Sequence, residues 1–459
     1  MAYTAFITRI KNLRQHPNAD RLQMGECFGN TVIVSMEYTD NQLGIYFPSD
    51  GQVSVAFAEV NNLLRKKDEN GNNIGGYMDE SKRNVTAIKL RGEKSDGLFL
   101  PLRSLESFGD ITVLKEGDRI DNFNGHEICC KYVPKRNHRH GGTSGGNRTR
   151  KKKMPIAPLF VEHADTEQLA YNLGAFKPGD EIEITLKMHG TSQRTAYLPV
   201  FKGYKRTLWD KIRRKEGTPV YDWGYVSGTR RTVLENYDGG YYGSNEFREQ
   251  HSKFFEGKLW KGEEIFYEVV GFTHTNSPIM ATADNKKLND KEFVKQYGQT
   301  TTFSYGCAPQ PIPAMIKAPE MEEVSPAVSQ SDIYVYRMTM TNEDGDVVEY
   351  TPDFMRYRCE QMGVKTVPVM WKGTIPNVAP SYAGEWIKDV AEQYYDGPDP
   401  IGKTHVREGC VVRIINRPKF CAYKHKNWFF KALEGIVKVE AEVPDIEEAE
   451  CAVCDGDNE

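Results

Sequence analysis

One alternating run constrains this chain more than any other. Ile182, Ile184 and Leu186 alternate with Glu181, Glu183 and Thr185, the pattern of a half-buried strand. The run ends in Lys187-Met188-His189-Gly190-Thr191-Ser192. Gly190 is expected to permit a tight turn with positive φ. A lysine is thus delivered to the lip of whatever cleft the sheet forms. Alone, a Lys-x-His-Gly stretch reads more readily as an exposed lysine beside a hairpin turn. The strands that follow change that reading, because each carries chemistry at alternate positions, which share a face. Phe266, Glu268 and Val270 form one such set, Tyr334 and Tyr336 a second, Lys424 and Lys426 a third. Glu408 ends the loop before the apolar strand Gly409–Ile415.

Lys187-Met188-His189-Gly190 resembles the first motif of the covalent lysyl-nucleotidyltransferases, the ATP-dependent ligases and capping enzymes. Its His-Gly-Thr-Ser ending is similar to RNA ligases, where most DNA ligases carry Asp in place of His189. Glu264–Gly271 resembles the third motif and Ile333–Met338 the one after it, with Arg337 where many members have Asp. Arg407–Arg413 resembles the fourth and Tyr423–Lys426 the fifth. Five motifs in family order form a far more specific signal than any one alone.

The resemblance implies that Lys187 attacks the α-phosphorus of ATP and that Lys424 and Lys426 support it. Attack needs an unprotonated amine, and neighbouring cations favour that form while also neutralising the transferring phosphoryl group. Glu268 is expected to accept a hydrogen bond from a ribose hydroxyl. Tyr336, in preference to Tyr334, is expected to stack on adenine. Arg230, in the loop Tyr225–Thr232, is the candidate for phosphate. Glu408 is expected to orient magnesium, or manganese in its place, through its coordinated waters. His189 completes the nucleotide site, although neutral imidazole is a poor magnesium partner and sets this chain apart from the Asp-bearing members.

Upstream, Tyr3–Ile10, Thr31–Met36, Leu43–Phe47, Val85–Lys89 and Gly97–Pro101 read as short strands with the spacing of a small β-barrel. His16–Leu22 is similar to a segment of OB-fold tRNA-binding domains, and such barrels hold single-stranded nucleic acid. The same phrase also reads as turn chemistry closing a hairpin. Residues 133–157 form a linker whose Gly141–Gly146 run is flanked by Lys135, Arg136, Arg139 and Arg148–Lys153. It reads equally as a solvated tether and as a basic arm for phosphates. Cys129, Cys130, His138 and His140 make a poor zinc site because two of the cysteines are adjacent. Phe160–Asn172 is expected to form a cap and short helix, Phe247–Leu259 and Ala383–Tyr395 longer ones. Pro309–Pro326 reads as a surface excursion. The Cys451/Cys454 pair reads as incidental.

With 459 residues the chain has room for two or three domains. A net charge of −4 excludes a whole-protein field for nucleic acid. Nine cysteines without a dense framework suggest reduced thiols in a cytoplasmic setting. No N-terminal apolar run of signal or membrane-span length is present. The expected fold is α+β: an N-terminal OB-fold barrel over 1–132, the linker, an adenylyltransferase domain of antiparallel sheets flanked by helices over 158–440, and an acidic tail over 441–459. This arrangement looks like RNA ligase family five, since DNA ligases and capping enzymes place an OB domain after the fifth motif and residues 427–459 leave no room for one. The implied activity is ATP-dependent joining of RNA 3′-hydroxyl and 5′-phosphate ends, as in repair of a nicked duplex, by a monomer through a lysyl-AMP intermediate. The alternatives are a non-catalytic RNA-binding protein with a degenerate ligase domain, or a DNA ligase or capping-type transferase.

Overall fold

The computed structural model describes residues 3–67, 73–132, 156–207 except 162, 164 and 165, 217–230, 233–234, 237, 246–310, 329–433 and 437–438. The basic linker up to residue 155, most of the Pro-rich excursion and the acidic tail, with Cys451 and Cys454, lie outside these. The chain divides into two compact units. The first comprises Met1–Ser144, Lys287–Asn289 and Lys431–Glu459, and the second Gly145–Lys286 and Asp290–Phe430.

In the first unit, Ala5–Arg9 pairs with Leu43–Phe47 and with Arg119–Ile120, and Leu98–Pro101 adds to the other side of Leu43–Phe47. Ile7, Ile45, Phe47, Val53, Phe57 and Leu105 fill the core beneath. Ser54 caps the helix Val55–Val60 by accepting from the Phe57 N–H. Lys11–Gln15, Leu22–Cys27 and Asn30–Ser35 form a separate meander. His16 closes its first turn: its N–H donates to the Leu22 carbonyl at 3.0 Å, and its Nδ1 accepts from Asn18 N–H at 3.1 Å. The His-Pro-Asn-Ala-Asp phrase closes the turn between Lys11–Gln15 and Leu22–Cys27.

The expected closed barrel does not form among the described residues. Closure needs one unbroken ring of strand pairing. Here strands of two to six residues are shared among several small sheets. Left-handed residues such as Asn41 and Asp50 turn the chain between them, and left-handed Asn12 interrupts the strand Lys11–Gln15. The unit also takes in chain from the far end. Val437–Lys438 pairs in parallel with Ala87–Ile88, and Lys431 Nζ lies 2.5 Å from Asp96 Oδ2.

The second unit holds two sheets. One has the order Glu167–Gln168, Cys421–Lys426, Gly409–Ile414, Glu181–Leu186, Val369–Thr374. Its apolar side packs on the helix Ala383–Glu392 through Ile182, Ile184, Val412, Ile387 and Ala391. The other runs Thr218–Gly228, Thr191–Lys205, Glu263–Gly271, Ser331–Thr341, Val347–Glu349. Tyr267, Val269 and Val335 bury it against helices Glu246–Phe254 and Pro352–Met362. Most pairings are antiparallel. Glu167–Gln168 is an exception, running parallel to Tyr423–Lys424. That pairing replaces the helix expected within Phe160–Asn172: the backbone is committed to the sheet edge and then makes only 3-10 turns, Leu169–Tyr171 and Leu173–Ala175. The Phe247–Leu259 helix ends early, at Phe254, with left-handed Gly257 just beyond. Among the described residues no helix is long and apolar enough to cross a membrane, and the cysteines Cys27, Cys129, Cys130, Cys307, Cys359, Cys410 and Cys421 are free thiols.

Candidate active site

The lysine strand lies between two partners, and register sets what meets at its end. Leu186 pairs with Cys410, and the Lys187 N–H donates to the Gly409 carbonyl at 3.0 Å. Gly409 pairs in turn with Lys426. One rung therefore carries Lys187 and Lys426, with Glu408 a residue away. Glu408 Oε1 lies 2.6 Å from Lys187 Nζ and 3.1 Å from Lys426 Nζ. Burial would push this carboxyl up, but the two ammonium groups hold it well below the usual carboxylate range. Lys424, two residues back and opposite Val411, stands further from that end of the strand. Lys187 is thus met by a carboxylate as well as by a second lysine, where the sequence reading considered cations alone.

His189 is fixed from both sides. Its N–H donates to the Tyr305 hydroxyl at 2.7 Å, and burial keeps that phenol neutral. Its ring meets Phe303 and Phe430 edge-on, with centroids 4.6 Å away in each case. Its Nδ1 lies 3.7 Å from Glu408 Oε2. Gly190 does not have positive φ, contrary to expectation. It is needed for close approach: a Cβ there would sit 2.5 Å from the Val269 carbonyl oxygen and 2.8 Å from Glu268 Cγ. Gly190→Ala should therefore cost about 1–3 kcal/mol and displace Lys187, read as a lower Tm together with slower nucleotidyl transfer.

The second sheet supplies the facing groups. Ser192 pairs with Glu268, and Glu268 with Tyr334. Pairing then steps from Tyr267/Val335 to Phe266/Arg337, leaving Tyr336 as the extra residue of a β-bulge. The bulge re-aims its ring so that the hydroxyl reaches Ser192 Oγ at 3.0 Å. Tyr334 is buried, with Lys365 Nζ 5.7 Å from its ring centroid. Although Tyr334 is the register partner of Glu268, it is the Tyr336 hydroxyl that burial and the nearby Glu268 charge hold above the usual phenol range. Arg337 is held by Glu349 and by His163 Nδ1.

Burial raises the Glu268 carboxyl to about 7, against the opposing pull of Lys187, Arg230 and Arg248 and with a further push from Glu408. Those influences place Lys187, Glu408, Arg230 and Glu268 in one electrostatic neighbourhood. As the folded value lies above the unfolded one, stability falls as pH rises from about 4.3 through 7. Glu268→Gln should remove that decline and stabilise the protein by about 3–4 kcal/mol at pH 8 while impairing nucleotide use. Thermal melts across pH, set beside adenylylation rates, check both halves.

Arg248 was not anticipated. It donates to the Ser192 carbonyl at 3.2 Å and to Thr191 Oγ1. Its signal was the inward helix face, where Phe247, Arg248, His251 and Ser252 are all buried. A cleft of about 530 Å³ lined by Tyr38, Asn61, Tyr77 and Arg103 belongs to the first unit and holds none of the site residues.

Glu408 Oε2 is buried, with His189 Nδ1 3.7 Å away as its neighbour and no closer donor among the described residues. Among the described residues no group of three or more His, Cys, Asp or Glu could hold a metal. The donor set fits a hydrated magnesium or manganese ion shared with substrate phosphates, and not a closed protein cage.

No protein-family model matches the chain, and no curated protein does. Solved structures do. The chain is similar to Naegleria gruberi RNA ligase with PPi (15% identity over 93% of this chain and 97% of that one, TM-score 0.54). It is likewise similar to a mutant of that ligase with ATP and Mn (16%, 94% and 99%, TM-score 0.54) and to another with AMP and Mn (16%, 92% and 96%, TM-score 0.52). The chain has the fold of that RNA ligase over nearly its whole length.

Proposed function

We propose that the protein is an ATP-dependent RNA ligase that works through a lysyl-AMP intermediate. The observation that carries this is Glu408 Oε1 between Lys187 Nζ and Lys426 Nζ, at the end of adjoining strands and in the field of Glu268. In the first step Lys187 Nζ bonds to the α-phosphorus of ATP and the bond to the β-phosphate oxygen breaks, releasing pyrophosphate. The attacking amine must be neutral, so its pair with Glu408 must part first. Lys426, beside it, meets the charge on the transferring phosphoryl group. Tyr336 offers its ring to adenine, Glu268 accepts from a ribose hydroxyl, and Arg230 meets phosphate. His189, packed between two rings, holds Glu408 in place and lines the nucleotide site. A divalent ion, held through Glu408 Oε2 with its waters, would neutralise phosphate charge.

In the second step the 5′-phosphate of an RNA takes AMP from Lys187. In the third a 3′-hydroxyl attacks that activated phosphorus and AMP leaves. The strand ends must be held in line, and that positioning supplies much of the rate. The first unit and the basic linker are the candidates for gripping a nicked duplex, with the protein acting as a monomer in RNA repair in the cytoplasm.

The test is a panel of nicked duplexes with RNA or DNA on each side of the nick, incubated with ATP and magnesium. Sealing is expected where RNA supplies the 3′-hydroxyl. A protein that labels with α-labelled ATP but seals only DNA would be a DNA ligase. One that binds RNA and never labels would be a non-catalytic relative.

A further inference from the structure

Strands Thr191–Lys205 and Thr218–Gly228 outrun their sheet. On the strand Thr191–Lys205, Glu263–Gly271 pairs only with Thr191–Ala196, so from Tyr197 onward the described strands form a two-stranded arm, its edge met at Phe201 by the Ile156 carbonyl. One face of this arm is aromatic. Tyr197 pairs with Tyr225, Pro199 with Trp223 and Phe201 with Tyr221, which sets those side chains on the same side. Strict alternation would turn Tyr204 to the other face. A register shift between Phe201 and Gly203 leaves Lys202 as an extra residue, and Tyr204 then pairs with Pro219. Its ring rejoins the row, 5.1 Å from Phe201.

The row begins on the core and leaves it. Tyr197 and Tyr225 stack at 4.6 Å and lean on the helices. Phe201, Tyr221 and Trp223 are half-buried and Tyr204 is exposed. The opposite face is already covered, because Leu198 and Val200 pack with Ala157 and Phe160. From Tyr197 to Tyr204 the row is about 23 Å long. Among the described residues the exposed cations next to the row are Lys261, beside its base, and Arg206, just past its outer end, while Lys202 and Lys205 alternate to the opposite face with Asp222. Lys261 Nζ stands 5.3 Å from the Trp223 ring centroid.

Aromatic rings in file with cations beside them are the components of a single-strand nucleic-acid platform: the rings take base faces and the cations take phosphates. A ladder serving only hairpin stability has no need of the bulge that brings Tyr204 round, nor of a cation set against the Trp223 ring. We propose that this arm is a stacking surface for single-stranded RNA, separate from the nucleotide site. Stacking and charge argue for a single strand; its being RNA rests on the proposed ligase function.

The test uses the full-length protein and fluorescence anisotropy with a labelled single-stranded oligoribonucleotide and with a duplex of the same length. Trp223→Ala should weaken single-strand binding about tenfold and Trp223→Phe should restore most of it, as one stacked base requires. Lys261→Glu should weaken binding and flatten its salt dependence. Labelling with α-labelled ATP should be unchanged in all three. If Trp223→Ala and Lys261→Glu bind the single strand as tightly as wild type, the arm is not the platform, whether or not the protein labels. Equal loss on duplex and single strand would also overturn stacking. If labelling fails in wild type while the variants still lose RNA affinity, the ligase reading falls and the platform stands.

Discussion

Lys187→Ala should lower sealing of 5′-phosphorylated RNA by at least about a thousandfold, because it removes the proposed nucleophile and leaves Lys426, on the strand paired with Gly409–Ile414, without the first motif's position. The fold should survive, since Lys187 is partly exposed and Lys426 still pairs with Glu408. A shift in Tm of no more than a few degrees is expected. The variant should still join an RNA whose 5′ end has been chemically adenylylated beforehand, because that substrate enters after the lysine has done its work. Sealing of ordinary 5′-phosphate ends at wild-type rate by this variant would remove Lys187 from the chemistry.

Glu408→Gln should damage both activity and stability. In the folded protein one carboxylate oxygen sits between two ammonium groups. Without its charge, Lys187 and Lys426 face each other unscreened. Removing one partner of a fully buried pair costs about 3–5 kcal/mol. Both lysines here keep some solvent contact, so about 1–3 kcal/mol is expected. The loss in adenylylation should reach about a hundredfold if Glu408 has the proposed ion-orienting role. The pH dependence follows from the depressed Glu408 carboxyl. Its contribution is fully present above the unfolded value of about 4.3 and is lost as pH falls through the folded value. The stability gap between wild type and variant should therefore be constant from pH 6 to 8 and shrink in acid. A gap unchanged at pH 3, or absent at pH 7, would show that Glu408 is not held by the two lysines.

The strands were legible because period-two alternation survives wherever one sheet face is buried. Glu181–Leu186 falls where that pattern put it, and Leu43–Phe47, buried nearly throughout, where its spacing between turns put it. Lys187, Glu408 and Lys426 could be gathered on motif order alone, and the register between their strands accounts for their meeting. Other features depend on pairing that no single strand records. The bulges at Tyr336 and Lys202 insert a residue against a partner far along the chain. Arg248 reaches Thr191 and Ser192 only once its helix is docked. The barrel failed for the converse reason: strand spacing reports how many short strands exist and not whether the first meets the last. Gly190 shows the same limit at a single residue, required by the Val269 carbonyl against which it packs and not by its own turn.

The most direct measurement is the site of nucleotide attachment. Wild-type protein incubated with ATP and magnesium, digested and analysed by mass spectrometry, should carry one AMP group, on the peptide containing Lys187. Added pyrophosphate should remove it and regenerate ATP. AMP on another residue, a phosphoryl group in its place, or no adduct at all in protein that remains folded would contradict the assignment of this lysine as the covalent nucleotide carrier.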